Sequence, residues 1–143
     1  MGSNSSSDSN IYPKRIREGV WVFPPNKEAN GSTSWWLDCD PEPMLIDCPQ
    51  ANKFVIEELR RLAGERKPRI FLTNRKAHGN ISGLQSQLGW PVIIQEQESY
   101  LLPLIEHLET FSFEHTTISG VQLLWTPGPT PGSSIAYSSK PLN

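Results

Sequence analysis

Two short runs with no polar residue in them, Ile70-Phe71-Leu72 and Val92-Ile93-Ile94, constrain this chain more than any other feature. A strand with one wet face alternates apolar and polar residues; a strand that is apolar throughout is covered on both faces, as in a parallel sheet. The sequence before and between these runs supplies helical spacing. In residues 52–63, Val55, Leu59 and Leu62 share one face, Phe54 and Ala63 flank it, and Glu57, Arg60 and Arg61 stay outside. Gly64 and Pro68 end that helix. A polar loop, Asn74 to Asn80, leads into a shorter helix over Ile81–Leu88 that stops at Gly89.

The flanks are β-like. Val20-Trp21-Val22-Phe23 is stopped by Pro24-Pro25, and Ser34–Leu37 and Met44–Asp47 read as strands joined through Asp40-Pro41-Glu42-Pro43. Residues 97–108 carry Leu101, Leu104, Ile105 and Leu108 in helical step, which predicts a third helix interrupted by Pro103. Ile118–Trp125 and Ser133–Tyr137 then read as strands on either side of the turn-rich residues 126–132. The fold class is mixed α/β with layered sheets. With 13 Pro and 10 Gly in 143 residues, short elements and many turns are expected in one domain, residues 19–143. Residues 1–18 are assigned to a disordered N-terminal segment, because the Gly/Ser/Asn-rich start has nothing to bury against the entropy of ordering.

Charge and cysteine content exclude several classes. Net charge is −2 and the tightest basic cluster is Lys14-Arg15-x-Arg17, so no nucleic-acid footprint is expected. No apolar run approaches the ~20 residues of a membrane span, and the start has no secretory apolar core. A cytoplasmic protein is expected. Around the proline turn Cys39 and Cys48 lie too far apart for the ~7 Å Cα separation of a disulfide, and two reduced thiols agree with that compartment. Trp35 and Trp36 are adjacent and face opposite sides of a strand, one toward core and one toward a contact surface.

The order of these motifs resembles the metallo-β-lactamase superfamily over about residues 19–139. A strand ends in Leu45-Ile46-Asp47, a helix follows, and a strand ending in Leu72-Thr73 opens a polar loop. The most specific element is Thr126-Pro127-Gly128-Pro129-Thr130-Pro131-Gly132-Ser133, where that family reads T-P-G-H-T-P-G-S. The resemblance implies an αβ/βα sandwich of which this sequence holds only the N-terminal portion, incomplete at its C-terminal side. It also implies a dizinc site whose ligands come from T-H-x-H-x-D-H after the Leu-Thr strand and from the histidine of the turn. Neutral imidazoles and carboxylates hold zinc and leave room for an activated water.

Carried over residue by residue, the ligands fail. Asn74 and Lys76 stand at the first two histidine positions, His78 at the aspartate and Gly79 at the third histidine. A one-residue shift brings His78 to a ligand position without supplying the others. Pro129 replaces the turn histidine and has no donor atom. The Lys76 ammonium would repel a dication by on the order of several kcal/mol. No metal and no cofactor are therefore expected, with zinc as the alternative. The strand-end Asp47 is expected to hold neighbouring loops by hydrogen bonds. Cys48 at the site mouth is a weaker nucleophile candidate, since Asp47 raises its pKa. His107 and His115 have no spaced partner, and Ser133-Ser134 lacks a nucleophile elbow.

The expected function is a non-catalytic interaction or assembly module, with no catalytic residue and with Asp47, Asn74, Lys76, His78, Gly79 and Pro129 as vestigial site positions. A half sandwich would leave a sheet face and an edge near Ser133–Tyr137 open, which implies a protein partner or a homo-oligomer. Two alternatives stand beside it. One is a hydrolase of ester or thioester-like bonds with an atypical metal site around His78 and Asp47. The other binds an anion or metabolite through Arg75, Lys76 and His78.

Overall fold

Both apolar runs sit in the middle of one sheet, in a computed structural model that describes residues 12–100, 102 and 105–138. The strands are β1 (Lys14–Arg17), β2 (Val20–Asn26), β3 (Ser32–Leu37), β4 (Met44–Ile46), β5 (Arg69–Leu72), β6 (Val92–Gln95), β7 (Leu108–Phe111), β8 (Glu114–Thr116), β9 (Gln122–Trp125) and β10 (Ser134–Tyr137). The helices are α1 (Lys53–Ala63), α2 (Ile81–Leu88) and α3 (Glu96–Ser99). β1 to β7 form a seven-stranded sheet in chain order, antiparallel from β1 to β4 and parallel from β4 to β7. β10, β9 and β8 form a separate antiparallel sheet in that spatial order.

Strand alternation builds two cores. One face of the large sheet points Leu45, Ile70, Leu72, Val92 and Ile94 at Val55, Ile56, Leu59, Ile81 and Leu84 of α1 and α2. Trp36 joins this core and lies 5.9 Å from Trp90, while Trp35 is half-buried on the other side. The opposite face points Met44, Phe71, Ile93 and Phe111 at Val121 and Leu123 of the small-sheet segment. The molecule is therefore three layers: helices, large sheet, small sheet. Asn52 starts α1 by accepting from the Val55 amide at 2.9 Å, and Gly64 closes it with φ of 63°. Asn80 and Gly89 do the same for α2. Both thiols are buried and unpaired, as the spacing implies.

Four expectations change. Lys14–Arg17, assigned to the disordered start, pairs with β2 as a charged edge strand, its Arg15 guanidinium 5.9 Å from the Trp21 ring. β2 runs through Pro24 and Pro25, which fall in a register shift rather than ending it. The helix expected over 97–108 is only α3 among the described residues; of its four periodic residues, Leu101 and Leu104 lie outside them. Ile105 and Leu108 do reach the core, but His107 takes φ of 53° and its carbonyl accepts from Val92, so the chain joins β6 as β7. An available parallel ladder outweighs a local helical spacing. The strand expected over 118–125 is shortened to β9, because Thr117 to Gly120 form the turn that joins it to β8 and Ile118 stands exposed. The resulting small sheet covers the apolar face expected to stay open, and the uncovered face is its own.

Candidate functional site

The ends of three parallel strands converge on one edge, where open α/β sheets place their sites. Asp47 follows β4, Thr73 follows β5, and Gln95 leads from β6 into α3. Asp47 adopts φ of 63° and is buried. Its carboxylate accepts from the Thr73 amide at 2.8 Å and from the Thr73 hydroxyl at 2.9 Å, so it does join neighbouring segments. Burial pushes its pKa up to about 6 against the opposing Thr73 bonds. Cys48 beside it is fully buried, and burial more than the neighbouring Glu28 and Asp47 pushes its thiol up to about 12. That is an inert cysteine.

The loop after β5 is shaped by side chains that serve its own backbone. Asn74 accepts from the Lys76 amide at 2.8 Å, and His78 Nδ1 lies 2.8 Å from the Gly79 carbonyl. Lys76 projects into solvent. Gly79, at φ of 48°, has room for no side chain: a Cβ there would lie 2.9 Å from Asn26 Nδ2, which itself donates to the Cys48 carbonyl. His107 and His115 sit on β7's approach and on β8, away from this loop in sequence and unconnected to it by any hydrogen bond described.

A residue outside the expected set ties the site together. Glu98 of α3 is completely buried and receives four donors. Oε1 accepts from the Arg75 amide at 2.8 Å and from the Thr130 hydroxyl; Oε2 accepts from Arg75 Nη2 at 2.7 Å and from the Gly132 amide at 3.0 Å. Burial acts to raise its pKa, but the Arg75 guanidinium, Thr130 and the two amides hold it down near 2. Thr130 and Ser133 bond each other across the turn, and the Ser134 amide donates to the Thr73 carbonyl. The polar loop and the Thr-Pro-Gly turn, far apart in sequence, are thereby one structure. Nothing in the pattern Gln95-Glu96-Gln97-Glu98 separates Glu98 from Glu96; its position just past an apolar parallel strand was the available signal.

These residues do not fit a zinc ion. Asn74 is used as a turn cap, Lys76 is a cation, Gly79 and Pro129 carry no donor, and the Glu98 carboxylate that joins the two loops already accepts four hydrogen bonds. Among the described residues no three His, Cys, Asp or Glu side chains are placed to share a metal. Arg75, expected as an anion ligand, is committed to Glu98, which leaves Lys76 and His78 of that trio.

No family model and no curated protein matches the chain. Solved structures do. A B3 metallo-β-lactamase with an active-site glutamic acid is 17% identical over 94% of this chain and 60% of its own, with a TM-score of 0.65. A Cronobacter sakazakii metallo-β-lactamase with an HARLDQ motif is 19% identical over 87% and 58%, at 0.61. A subclass B3 enzyme of Bradyrhizobium japonicum is 14% identical over 87% and 55%, at 0.64. The chain has the metallo-β-lactamase fold. It spans about three fifths of the length of these structures.

Proposed function

We propose that this chain is a non-catalytic member of that fold, working as an interaction or assembly module. The outer face of the small sheet carries this reading. Register places Ile135, Leu124 and Glu114 in one row and Tyr137, Gln122 and Thr116 in the next. Ile135 and Tyr137 are about half exposed, and the helices described pack on the large sheet instead. Among the described residues β10 is also an edge strand, free of charge, proline and bulge; its Ser134 amide is taken by the Thr73 carbonyl, and from Ala136 on it is the kind of edge that pairs with another strand.

The occupant is a second copy of this chain. Antiparallel pairing of two β10 strands about a two-fold axis at Ala136 sets each Ile135 opposite the other copy's Tyr137. That is a β-branched–aromatic pair on the outer face. The donor set of the site supports the non-catalytic half of the reading. Among the described residues no three ligand-type side chains stand together to hold zinc, and an anion site is left with the exposed Lys76 and the half-buried His78.

Sedimentation of the purified chain across micromolar concentrations tests the surface. A dimer lost in the Ile135→Lys variant is the expected result. A heterologous partner captured through the same residues would retain the module and change the occupant. A monomer at ~100 μM with no partner would overturn the reading, as would chelator-sensitive ester hydrolysis restored by zinc.

A further inference from the structure

We infer that the Arg75–Glu98 pair is a metal-free fastener: it locks the loop after β5 to the Thr-Pro-Gly turn and fills the coordination capacity a metal would need. The inference rests on the geometry of this chain and does not depend on the dimer.

The placement is the first argument. Arg75 sits between Asn74 and Lys76, and Thr130 and Gly132 flank Pro131 just after Pro129, so both segments bearing the vestigial positions are gripped by one carboxylate. Glu98 reaches 23 residues back to Arg75, and 32 and 34 residues forward to Thr130 and Gly132. This is a tertiary link and not a local turn.

Saturation is the second. An ionised carboxylate offers about four lone-pair sites. Two donors on each oxygen occupy all of them, so Glu98 cannot ligate a cation without surrendering a loop contact. The guanidinium adds a fixed positive charge on the same spot, and its Nε is buried without a partner. A dication placed beside it would meet repulsion. Ion pair and metal are therefore alternatives here.

Close approach is the third. A Cβ on Gly132 would lie 2.6 Å from Glu98 Cγ and would also strike Gln95 Oε1. Gln95 is held by the Gln97 amide at 2.7 Å and by its own bond to the Ser112 carbonyl at 3.1 Å, so it cannot simply swing away. The turn is seated against Glu98 with no room for a water or an ion between them.

Hydrogen exchange on the full chain, at a concentration where it is monomeric, reads the fastener directly. In Glu98→Gln the amides of Arg75 and Gly132 are expected to exchange at least ~10-fold faster, while those of Leu59 and Leu62 in α1 keep their rates. Zinc chloride or a chelator added to the wild-type chain is expected to change neither loop. Unchanged rates at Arg75 and Gly132 in Glu98→Gln would sink the inference, and so would slowing of both loops by zinc. Should Glu98→Gln not fold, Thr130→Val removes a single arm. Faster exchange confined to the turn supports the fastener, and no change in the turn overturns it. Failure of the dimer experiment leaves this result untouched, and the reverse also holds.

Discussion

Asp47 and Glu98 are both buried carboxylates just past the carboxyl ends of β4 and β6, the strands on either side of β5, yet their pKa values shift in opposite directions. Among the described residues Asp47 accepts from Thr73, through its amide and hydroxyl, and forms no ion pair. Glu98 has four donors from three residues, one of them a guanidinium. Burial alone would raise both pKa values; the number and charge of the donors decide the outcome. One carboxylate is underserved and strains the site at neutral pH, while the other holds the site together.

The largest effect is expected from Glu98→Ala. It strands the Arg75 charge and opens both loops, and a loss of about 4 kcal/mol in urea denaturation at pH 7 is expected. A loss below about 1 kcal/mol would mean that the loops are held by something else. Gly132→Ala drives a methyl group into Glu98 and Gln95 and is expected to cost about 2–3 kcal/mol by the same measurement. Asp47→Asn has the opposite sign. Asparagine suits the positive φ, keeps an acceptor for the Thr73 amide and turns a donor toward the Thr73 hydroxyl, so the fold should gain ~2 kcal/mol at pH 7.5 and almost nothing at pH 4.

The wild-type pH profile follows from the two signs. The Asp47 pKa rises from 3.8 to about 6 on folding, so its contribution is complete below pH 3.8 and is lost as pH climbs through 6. The Glu98 pKa falls from 4.5 to about 2, so its contribution is present above pH 4.5 and is lost as pH drops toward 2. These two groups together favour a stability maximum near pH 4–5, and Asp47→Asn is expected to flatten the alkaline side alone. The smallest effect belongs to Thr130→Val, which removes one neutral donor and should cost ~1 kcal/mol. Equal losses for Thr130→Val and Glu98→Ala would dissolve the contrast between a cation-held and a hydroxyl-held carboxylate.

Much of the fold was legible because its signals are local and agree with one another. The stripe Val55-Leu59-Leu62 and the stop at Gly64 each specify α1, and the apolar runs at 70–72 and 92–94 specify strands covered on both sides. Of the site, Asp47 was legible as a strand-end acceptor. Arg75 was legible as a loop cation but not as the partner of Glu98, because a cation in a polar loop offers itself equally to a bound anion and to a buried carboxylate. The spacing at 101–108 misled for a comparable reason: Ile105 and Leu108 do face the core, and both a helix and a strand beside β6 satisfy that demand.

Periodicity and stop residues thus determined two of the helices and the central strands, and the resemblance to the metallo-β-lactamase motifs marked Asn74, Lys76, Gly79 and Pro129 as positions without the family's ligands. Tertiary structure alone decided that residues 114–137 form a second sheet covering the first. It alone decided which of the acidic residues in 96–98 is buried and which loop cation meets it. Local patterns record the demands of a single turn or strand. A contact between Glu98 and residues 23 to 34 positions away depends on the path of every element between them.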